Sequence, residues 1–215
     1  MPSWLEALAR GRRRVRGGAA LFNAGDRFHS LYAVHGGFFK TSMIDDEGRR
    51  QVTGFFMSGD LLGLEGIAAA LYDVTAVALE DSEVFVVPYP LIEQLSRDKA
   101  ASQRELHIAL SREIAREHRL MLLLGSMRAE ERLAAFLLNL SARFGWLGYS
   151  SAEFHLRMTR ADIGSYLGLT LETVSRLFSS LQERGILAVR QRHVRVLDLA
   201  RLQALAGSPG DSAQG

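Results

Sequence analysis

The chain has 215 residues and a net charge of +2, and its 47% hydrophobic and 23% charged residues are typical of a folded globular protein. It contains no cysteine, which excludes disulfides, thiolate nucleophiles and cysteine-ligated zinc or iron–sulfur clusters. The longest apolar runs, such as Ile67–Leu71 and Leu120–Leu124, are far shorter than the roughly 20 residues of a membrane span, and there is no secretory signal, so we expect a cytoplasmic protein without a membrane partner.

Short β-type runs separated by glycine-containing turns extend from Leu21 to Pro88. Turn signals recur at a spacing of about 8–12 residues, which is typical of an antiparallel sandwich or a small barrel. One segment, Leu61–Leu71, is rich in alanine and leucine and is predicted to be a helix inserted among the strands. We therefore predict an all-β domain over residues 1–98.

A helical composition follows from about Leu91 to Ser126, and the first glycine in this stretch is Gly125, which is expected to end the helix. Five positions recur at spacings of four and three residues, as in the heptad seam of paired helices: Leu110, Ile114, Glu117, Met121 and Leu124. We predict a dimerisation helix over residues 99–126 that pairs with its copy in a parallel homodimer. The alternative is a helix packed wholly within one subunit. Glu117 lowers dimer stability if the seam buries it.

The segment from Thr159 to Phe178 predicts a helix-turn-helix. Thr159 is a natural N-cap with Asp162 three residues later, which resembles a capping box. Gly168 supplies the positive φ that ends the first helix in a tight turn. The second helix begins at Thr170 and is predicted to turn three apolar side chains inward: Val174, Leu177 and Phe178.

The surrounding elements extend this motif to a winged domain over residues 127–207. A helix at Ala129–Phe144 and a short strand at Phe154–Met158 precede the motif, and the alternating stretch Leu187–Leu197 predicts a β-hairpin after it. Residues 128–205 carry 11 basic and 7 acidic side chains, whereas residues 21–99 carry 6 and 12. A basic C-terminal domain of this kind is suited to a polyanion. Residues 208–215 are predicted to be a disordered tail.

Three polar side chains share the outward face of the second helix near its start: Glu172, Ser175 and Arg176. In a DNA major groove arginine binds guanine O6 and N7, glutamate accepts from cytosine N4, and serine binds either kind of partner. The alternative is a surface ion pair between Glu172 and Arg176, but the position of the helix before a basic hairpin favours double-stranded DNA. The helix-start hydroxyls and the hairpin arginines predict phosphate contacts: Thr159, Thr170, Thr173, Arg190, Arg192 and Arg195.

Two blocks, Ala129–Phe136 and Met158–Leu177, closely resemble the CRP/FNR superfamily of bacterial transcription regulators, and within it the FNR (fumarate–nitrate reduction regulator) branch. Upstream, Leu21–Asp26, Ser30–Ala33 and Thr53–Gly63 look like the β-roll of that branch. The resemblance covers about residues 20–207. It implies an α+β chain with an N-terminal antiparallel β-roll of the cyclic-nucleotide-binding jelly-roll type, a long dimerisation helix and a C-terminal winged helix-turn-helix.

The resemblance also implies a function. A member of this branch is a homodimeric DNA-binding regulator, not an enzyme, and binds two-fold symmetric sites with half-sites of TTGAT type. The triplet on the second helix matches the residues that read those bases. Contacts with RNA polymerase are implied for two places, a turn in the roll and the loop after the Ala129–Phe144 helix, with these candidates: Ser58, Gly59, Asp60 and Phe144.

Two departures from the family concern the sensor. The FNR iron–sulfur cluster is held by cysteines, and this chain has none. Members that bind cyclic AMP use a Gly-Glu turn and an Arg-Ser pair, whereas Asp73 and Val74 stand near the Arg-Ser position here, and no arginine lies between Arg50 and Arg97. Since an acidic side chain repels a phosphate, we predict a regulator without a cofactor and without cyclic AMP.

Two alternatives stay open at this point. In the first, the β-roll binds haem, with or without nitric oxide, or another small ligand. His29 and His35 are the histidines that could serve as haem ligands. In the second and more remote one, the roll is a cupin-type enzyme, which needs a cluster of histidine and carboxylate ligands. The same two histidines are the only ones in the predicted β domain.

Overall fold

The structure is a computed structural model that describes residues 11–98 and 100–207. The chain divides into two compact units, Met1–His118 and Arg119–Gly215. The boundary between the units therefore falls inside the predicted dimerisation helix. The predicted disordered tail, residues 208–215, lies outside the described residues, as do the first ten residues of the chain.

The described part of the first unit contains eight strands: β1 (Arg12–Val15), β2 (Ala20–Phe22), β3 (Ser30–Gly36), β4 (Phe38–Ile44), β5 (Arg50–Met57), β6 (Leu61–Leu62), β7 (Thr75–Ala78) and β8 (Ser82–Pro88). They form two four-stranded antiparallel sheets, ordered β1-β8-β3-β6 and β2-β7-β4-β5. The predicted antiparallel β-roll is confirmed.

Alternation along the strands divides the apolar side chains of the roll between two cores. Tyr32 of β3 and Phe39 of β4 belong to the core made by both sheets. Leu31, one residue away on β3, belongs to a second cluster with Val87 and Ile92. This second cluster is covered by α2 (Tyr89–Asp98) and by the first turns of α3 (Ala100–Ser126), so the roll carries its own helical layer.

The predicted helix over Leu61–Leu71 is wrong for most of its length. Leu61–Leu62 pairs with β3 as strand β6, and only Gly66–Ala69 is helical, as α1. Gly63 turns the chain at a φ of +91°, and Ala70 follows the short helix at +56°. Strand pairing thus overrides the helix propensity of the alanine-rich sequence, because propensity is worth well under 1 kcal/mol per residue.

The second unit combines helices with a three-stranded sheet. Its elements after α3 are α4 (Ala129–Trp146), β9 (Glu153–His155), α5 (Arg160–Leu167), α6 (Leu171–Glu183), β10 (Leu187–Arg190), β11 (His193–Val196) and α7 (Leu199–Leu205). The sheet order is β10-β11-β9. Gly125 does not end α3 as predicted but lies in its last turn, and only Met127 and Arg128 connect α3 with α4. Across residues 11–98 and 100–207, no helix combines the length and the apolar run that a bilayer crossing requires.

Candidate DNA interface

The first helix of the predicted motif, α5, is capped as the sequence indicates. The Thr159 hydroxyl accepts a hydrogen bond from the backbone N–H of Asp162 at 3.0 Å, and the Asp162 carboxylate accepts one from the N–H of Thr159 at 2.9 Å. Gly168 follows the helix at a φ of +63°, a conformation that costs a residue with a side chain about 1–2 kcal/mol. The predicted capping box and glycine stop are confirmed.

The turn after α5 packs directly on that helix. The N–H of Leu169 donates to the carbonyl of Gly164 at 2.8 Å. A Cβ at Gly164 would lie 2.6 Å from the carbonyl oxygen of Leu169, which leaves no room for a side chain. The second helix, α6, then starts at Thr170, whose hydroxyl accepts from the N–H of Thr173 at 3.1 Å. The helix-turn-helix is thus held by backbone contact.

One face of α6 is apolar and buried, and the opposite face is polar and exposed. Three of its side chains are buried in the domain: Val174, Phe178 and Leu181. Leu177, predicted to face inward, is half-buried at the border between the two faces. The three residues predicted to read bases are exposed together: Glu172, Ser175 and Arg176. The structure therefore brings the predicted triplet onto one solvent-facing surface.

The polar atoms of this surface are largely available to a ligand. The Arg176 guanidinium donates to the Thr173 hydroxyl at 3.3 Å, and within the described part of the chain it forms no ion pair with Glu172. The alternative of a Glu172–Arg176 surface pair is therefore not what the structure contains. The Ser175 hydroxyl donates to the carbonyl of Leu171 at 2.9 Å.

The three threonines predicted to contact phosphates lie at the starts of α5 and α6. The Thr159 hydroxyl donates to the Asp162 carboxylate at 2.8 Å, and that of Thr170 donates to the Thr173 hydroxyl at 3.1 Å. Thr173 accepts from both Thr170 and Arg176, and neither bond uses the hydrogen of its own hydroxyl. The positive ends of both helix dipoles lie at the same places, which suits an anion.

The wing is the hairpin formed by β10 and β11. Its two-residue turn consists of Gln191, at a φ of +55°, and Arg192. The predicted phosphate contacts Arg190 and Arg192 and the further candidate Arg195 are all exposed. Arg192 also donates to the carbonyl of Arg157 at 3.3 Å, and this hydrogen bond restricts the orientation of its side chain.

Two contacts tie the strands of the wing to neighbouring elements. The Gln182 side-chain oxygen accepts from the N–H of Val189 at 3.1 Å, which ties β10 to the last turn of α6. His193 of β11 lies 2.9 Å from the Glu153 carboxylate of β9. The wing arginines are therefore held at a defined place relative to the helix that carries the triplet.

Sequence reasoning missed Arg160, which follows the cap of α5. Its guanidinium carbon lies 3.2 Å from the centroid of the Phe178 ring, on the buried face of α6. Burial lowers the pKa of Arg160 to about 10, so it stays charged at neutral pH, and its Nη1 atom is buried without a hydrogen-bond partner among the described residues. No periodic signal links an arginine to an aromatic ring 18 positions later, so only the fold reveals this contact.

The predicted dimer seam is partly exposed. Ile114 and Met121 are 53% and 62% exposed, although they are large and apolar. Leu110 packs against the second cluster of the roll, and Leu124 is half-buried. Glu117 stands on the exposed part of the seam. Exposed large apolar side chains such as Ile114 and Met121, with one carboxylate among them, are typical of a helix surface that packs against a second helix.

A group of acidic side chains lies at the roll side of α3. One carboxylate oxygen of Glu65 is buried without a hydrogen-bond partner among the described residues. Burial raises the pKa of Glu65 above its ordinary value, and the charges of Glu113, Asp73 and Glu117 raise it further. Arg116 pairs with Glu113 and offsets only part of this charge. The electrostatic field of these carboxylates opposes the binding of an anionic ligand beside Glu65.

Replacing Glu65 by glutamine is expected to stabilise the roll at neutral pH. The folded-state pKa lies above the ordinary value of 4.5, so the folded protein holds the proton to higher pH than the unfolded chain does. The stability that this proton provides is present below pH 4.5 and is lost as the pH rises through the folded-state pKa. Thermal unfolding between pH 4.5 and 8 should therefore show a flatter profile for Glu65→Gln. Glu183→Gln, at an exposed position of α6, serves as control, and an unchanged profile for Glu65→Gln would contradict the assignment.

The polymerase candidates lie in different surroundings. Ser58, Gly59 and Asp60 form the turn between β5 and β6, where the Asp60 carboxylate accepts from the last N–H of β5 at 2.7 Å. Phe144 is half-buried and stacks on Phe154, with ring centroids 5.4 Å apart. Of these four candidates Gly59 is exposed, and the other three are half-buried.

The two histidines of the roll do not belong to a metal-type cluster. His35 lies 3.8 Å from the Glu83 carboxylate and its ring makes a T-shaped contact with Phe85, and His29 is exposed. Within the described ranges, no group of three or more histidine, aspartate or glutamate side chains is arranged to hold a metal ion. The described residues thus do not provide the ligand set that a cupin-type enzyme needs.

Comparison with known proteins covers both units. A Crp-like helix-turn-helix domain matches residues 131–205, and a cyclic nucleotide-binding domain matches residues 12–99. The chain is 47% identical over 203 residues to the transcriptional regulatory protein Btr of Bordetella pertussis, a match that covers 94% of this chain and 84% of Btr. It is 42% identical to the transcriptional activator protein FnrA of Stutzerimonas stutzeri, with 97% and 85% covered.

A solved structure shows the same architecture. FixK2 from Bradyrhizobium japonicum superposes with a TM-score of 0.86 at 31% identity, and the match covers 93% of this chain and 98% of FixK2. The resemblance that the helix-turn-helix residues indicate therefore extends over both units, each matched to a domain of the same kind of regulator.

Proposed function

Since the chain belongs to the CRP/FNR family of transcription regulators, whose members bind DNA and are not enzymes, we propose that it acts as a homodimer on two-fold symmetric sites with TTGAT-type half-sites. The observation that carries this proposal is the joint exposure of Glu172, Ser175 and Arg176 on a capped helix. The matching triplet in the FNR branch has the same residue types at the same spacing. Each protomer would insert α6 into one of two successive major grooves.

Selection of bound sequences from random DNA by the purified protein tests this proposal. The expected product is an inverted repeat of TTGAT-type half-sites, with centres about one helical turn apart. A selected motif without symmetry would contradict the homodimer, and a symmetric motif with other bases would contradict the triplet assignment.

The residues present do not fit the sensor groups that the family implies. An iron–sulfur cluster held by cysteine is excluded because the chain has no cysteine. A cyclic nucleotide needs a cation for its phosphate, but the buried carboxylate of Glu65 lies near Asp73 and Glu113 instead, and no arginine stands between Arg50 and Arg97. We therefore propose regulation without cluster and without cyclic AMP.

Haem or another small ligand in the roll is the second candidate for control, and His29 and His35 are its possible ligands. Absorption spectra of the purified protein with and without added haem distinguish control by haem from control without a ligand. A Soret band that His35→Ala or His29→Ala abolishes would support haem control, whereas a colourless protein that binds its DNA unaided would support control without a ligand.

RNA polymerase is proposed as the protein partner. Ser58, Gly59 and Asp60 form a turn on the roll in which Gly59 is exposed and the other two are half-buried. Near Phe144 the exposed aromatic residues are Trp146 and Tyr149. Transcription in a purified system tests both surfaces: substitutions in either one should lower activation and leave DNA affinity unchanged.

Replacing Glu117 by leucine is expected to tighten the dimer by roughly tenfold or more, because burying a leucine contributes about 1.5–3 kcal/mol and the like charges across the seam are removed. Sedimentation equilibrium measures the dissociation constant. Arg112→Leu adds the same side chain at an exposed position outside the seam and should leave the constant unchanged. A weaker dimer for Glu117→Leu would mean that the seam is wrongly assigned.

A further inference from the structure

Arg132, near the start of α4, bonds to the ends of two other helical segments at once. Its Nη2 donates to the carbonyl of Leu124 in the last turn of α3 at 2.8 Å. Its Nη1 donates to the carbonyl of Leu167, the last residue of α5, at 3.0 Å. Its Nε donates to the carbonyl of Met127, between α3 and α4, at 2.9 Å. One guanidinium therefore joins α3, the α3–α4 connection and α5.

The chemistry of these three acceptors explains why an arginine stands there. The last carbonyls of a helix have no partner within the helix and form the negative end of its dipole. Arginine presents several N–H donors in a rigid planar fork, so it can reach carbonyls that lie in different directions. Among the described residues, Arg132 has no carboxylate within ion-pair distance. Its guanidinium hydrogen bonds therefore all go to backbone carbonyls, two of them at helix ends and one in the α3–α4 connection.

The space around the guanidinium is closely filled. Gly168, just after α5, has no side chain, and a Cβ there would lie 3.4 Å from Nη1 of Arg132 and 3.4 Å from a methyl carbon of Leu124. The positive φ of Gly168 thus brings the end of α5 next to the end of α3. Only two residues, Met127 and Arg128, connect α3 with α4, which carries Arg132.

From this geometry we infer that Arg132 is a positioning residue that locks the helix-turn-helix to the end of α3 and thereby sets the half-site spacing that the protein accepts. The inference rests on the proposed homodimer, in which α3 lies along the two-fold axis. The angle between the end of α3 and α5 then decides how far apart the two α6 helices stand. A shift of about 3.4 Å corresponds to one base pair, so a small rotation at this joint changes the preferred spacing.

The test compares Arg132→Lys and Arg132→Met with the wild-type protein on a set of DNA sites. The set contains the selected symmetric site, the same site with one base pair added or removed at its centre, and a single half-site. The preference of the wild-type protein for its own spacing is expected to fall by roughly 2- to 30-fold in both variants, while affinity for the single half-site stays the same. An equal loss on all sites would mean that Arg132 only stabilises the domain, and an unchanged preference would also overturn the inference.

Arg201→Met is the matched control. Arg201 donates to the carbonyl of Arg184 at the end of α6 at 3.0 Å, so it caps a helix end with the same chemistry, and among the described residues its side chain has no hydrogen bond to α3. Its substitution should leave the spacing preference unchanged.

Hydrogen exchange of the free protein tests the lock without DNA. Arg132→Met should speed amide exchange near residues 124–128 and 165–169, and Arg201→Met should not. Unchanged exchange would overturn the lock even if the wild-type protein binds the expected DNA. If the wild-type protein fails to bind a symmetric site, the proposed function fails, and the exchange result still decides whether Arg132 holds the two helix ends.

Discussion

Arg176→Ala is expected to weaken binding to a TTGAT-type site by about 1–3 kcal/mol for each half-site, because a bidentate contact to guanine O6 and N7 is lost. The side chain is exposed and its described hydrogen bond goes to the Thr173 hydroxyl, so its removal leaves the packing of α6 intact. Titration of the protein with the selected site, and with sites in which the guanine is replaced, measures both affinity and base preference.

The comparison among sites identifies the kind of contact. If Arg176 reads a guanine, the variant loses affinity for the selected site and little for the site that lacks the guanine. Arg176→Lys keeps the charge but not the fork and should also lose the preference. Arg49→Ala removes the same charge from the turn between β4 and β5 and should change nothing. An equal loss on every sequence would reassign Arg176 to a phosphate.

The second large expected effect is the dependence of DNA affinity on salt concentration. Arg190 and Arg192 together predict four cationic phosphate contacts in a dimer, which contribute about −3.6 to the slope of log K against log salt. These contacts alone lower the affinity roughly 10²-fold between 50 and 200 mM salt. Arg192→Ala removes two of the four and is expected to reduce the magnitude of the slope by about 1.8. Titrations at four or five salt concentrations measure it.

Two further variants separate charge from structure in this experiment. Arg192 also donates to the carbonyl of Arg157, so its loss changes the wing slightly. Arg192→Lys retains the charge and should keep the wild-type slope, and Arg49→Ala should keep it as well. A wild-type slope in Arg192→Ala would show that the tip of the wing does not contact the phosphate backbone.

The helix-turn-helix is predictable from sequence because its signals are local. Thr159, Asp162, Gly168 and Thr170 act on backbone groups within four residues of themselves, and cap chemistry does not depend on the rest of the fold. The exposure of the triplet then follows from the period of the helix. The turn-rich composition likewise indicates a β-roll, although the pairing of β1 with β8, some 70 residues apart, has no local signal.

The errors arise where a distant contact outweighs a local preference. Leu61–Leu62 becomes a strand because β3 offers an edge for pairing. Gly125 stays helical because a glycine costs a helix only about 1 kcal/mol, and the carbonyl of the preceding residue bonds to Arg132. Arg132 and Arg160 escape detection for the same reason: the carbonyl of Leu167 lies 35 positions from Arg132.

The hydrogen bond from Ser175 to the carbonyl of Leu171 has a consequence for which bases this position of α6 accepts. A hydroxyl has one hydrogen and two lone pairs, and here the hydrogen already serves the helix backbone. The atom that faces a major groove is then an acceptor, so its partners are the exocyclic amino groups of adenine and cytosine, while thymine O4 and guanine O6 offer only lone pairs. If Ser175 contacts a base as we propose, this hydrogen bond predicts a preference for amino over keto bases at that position.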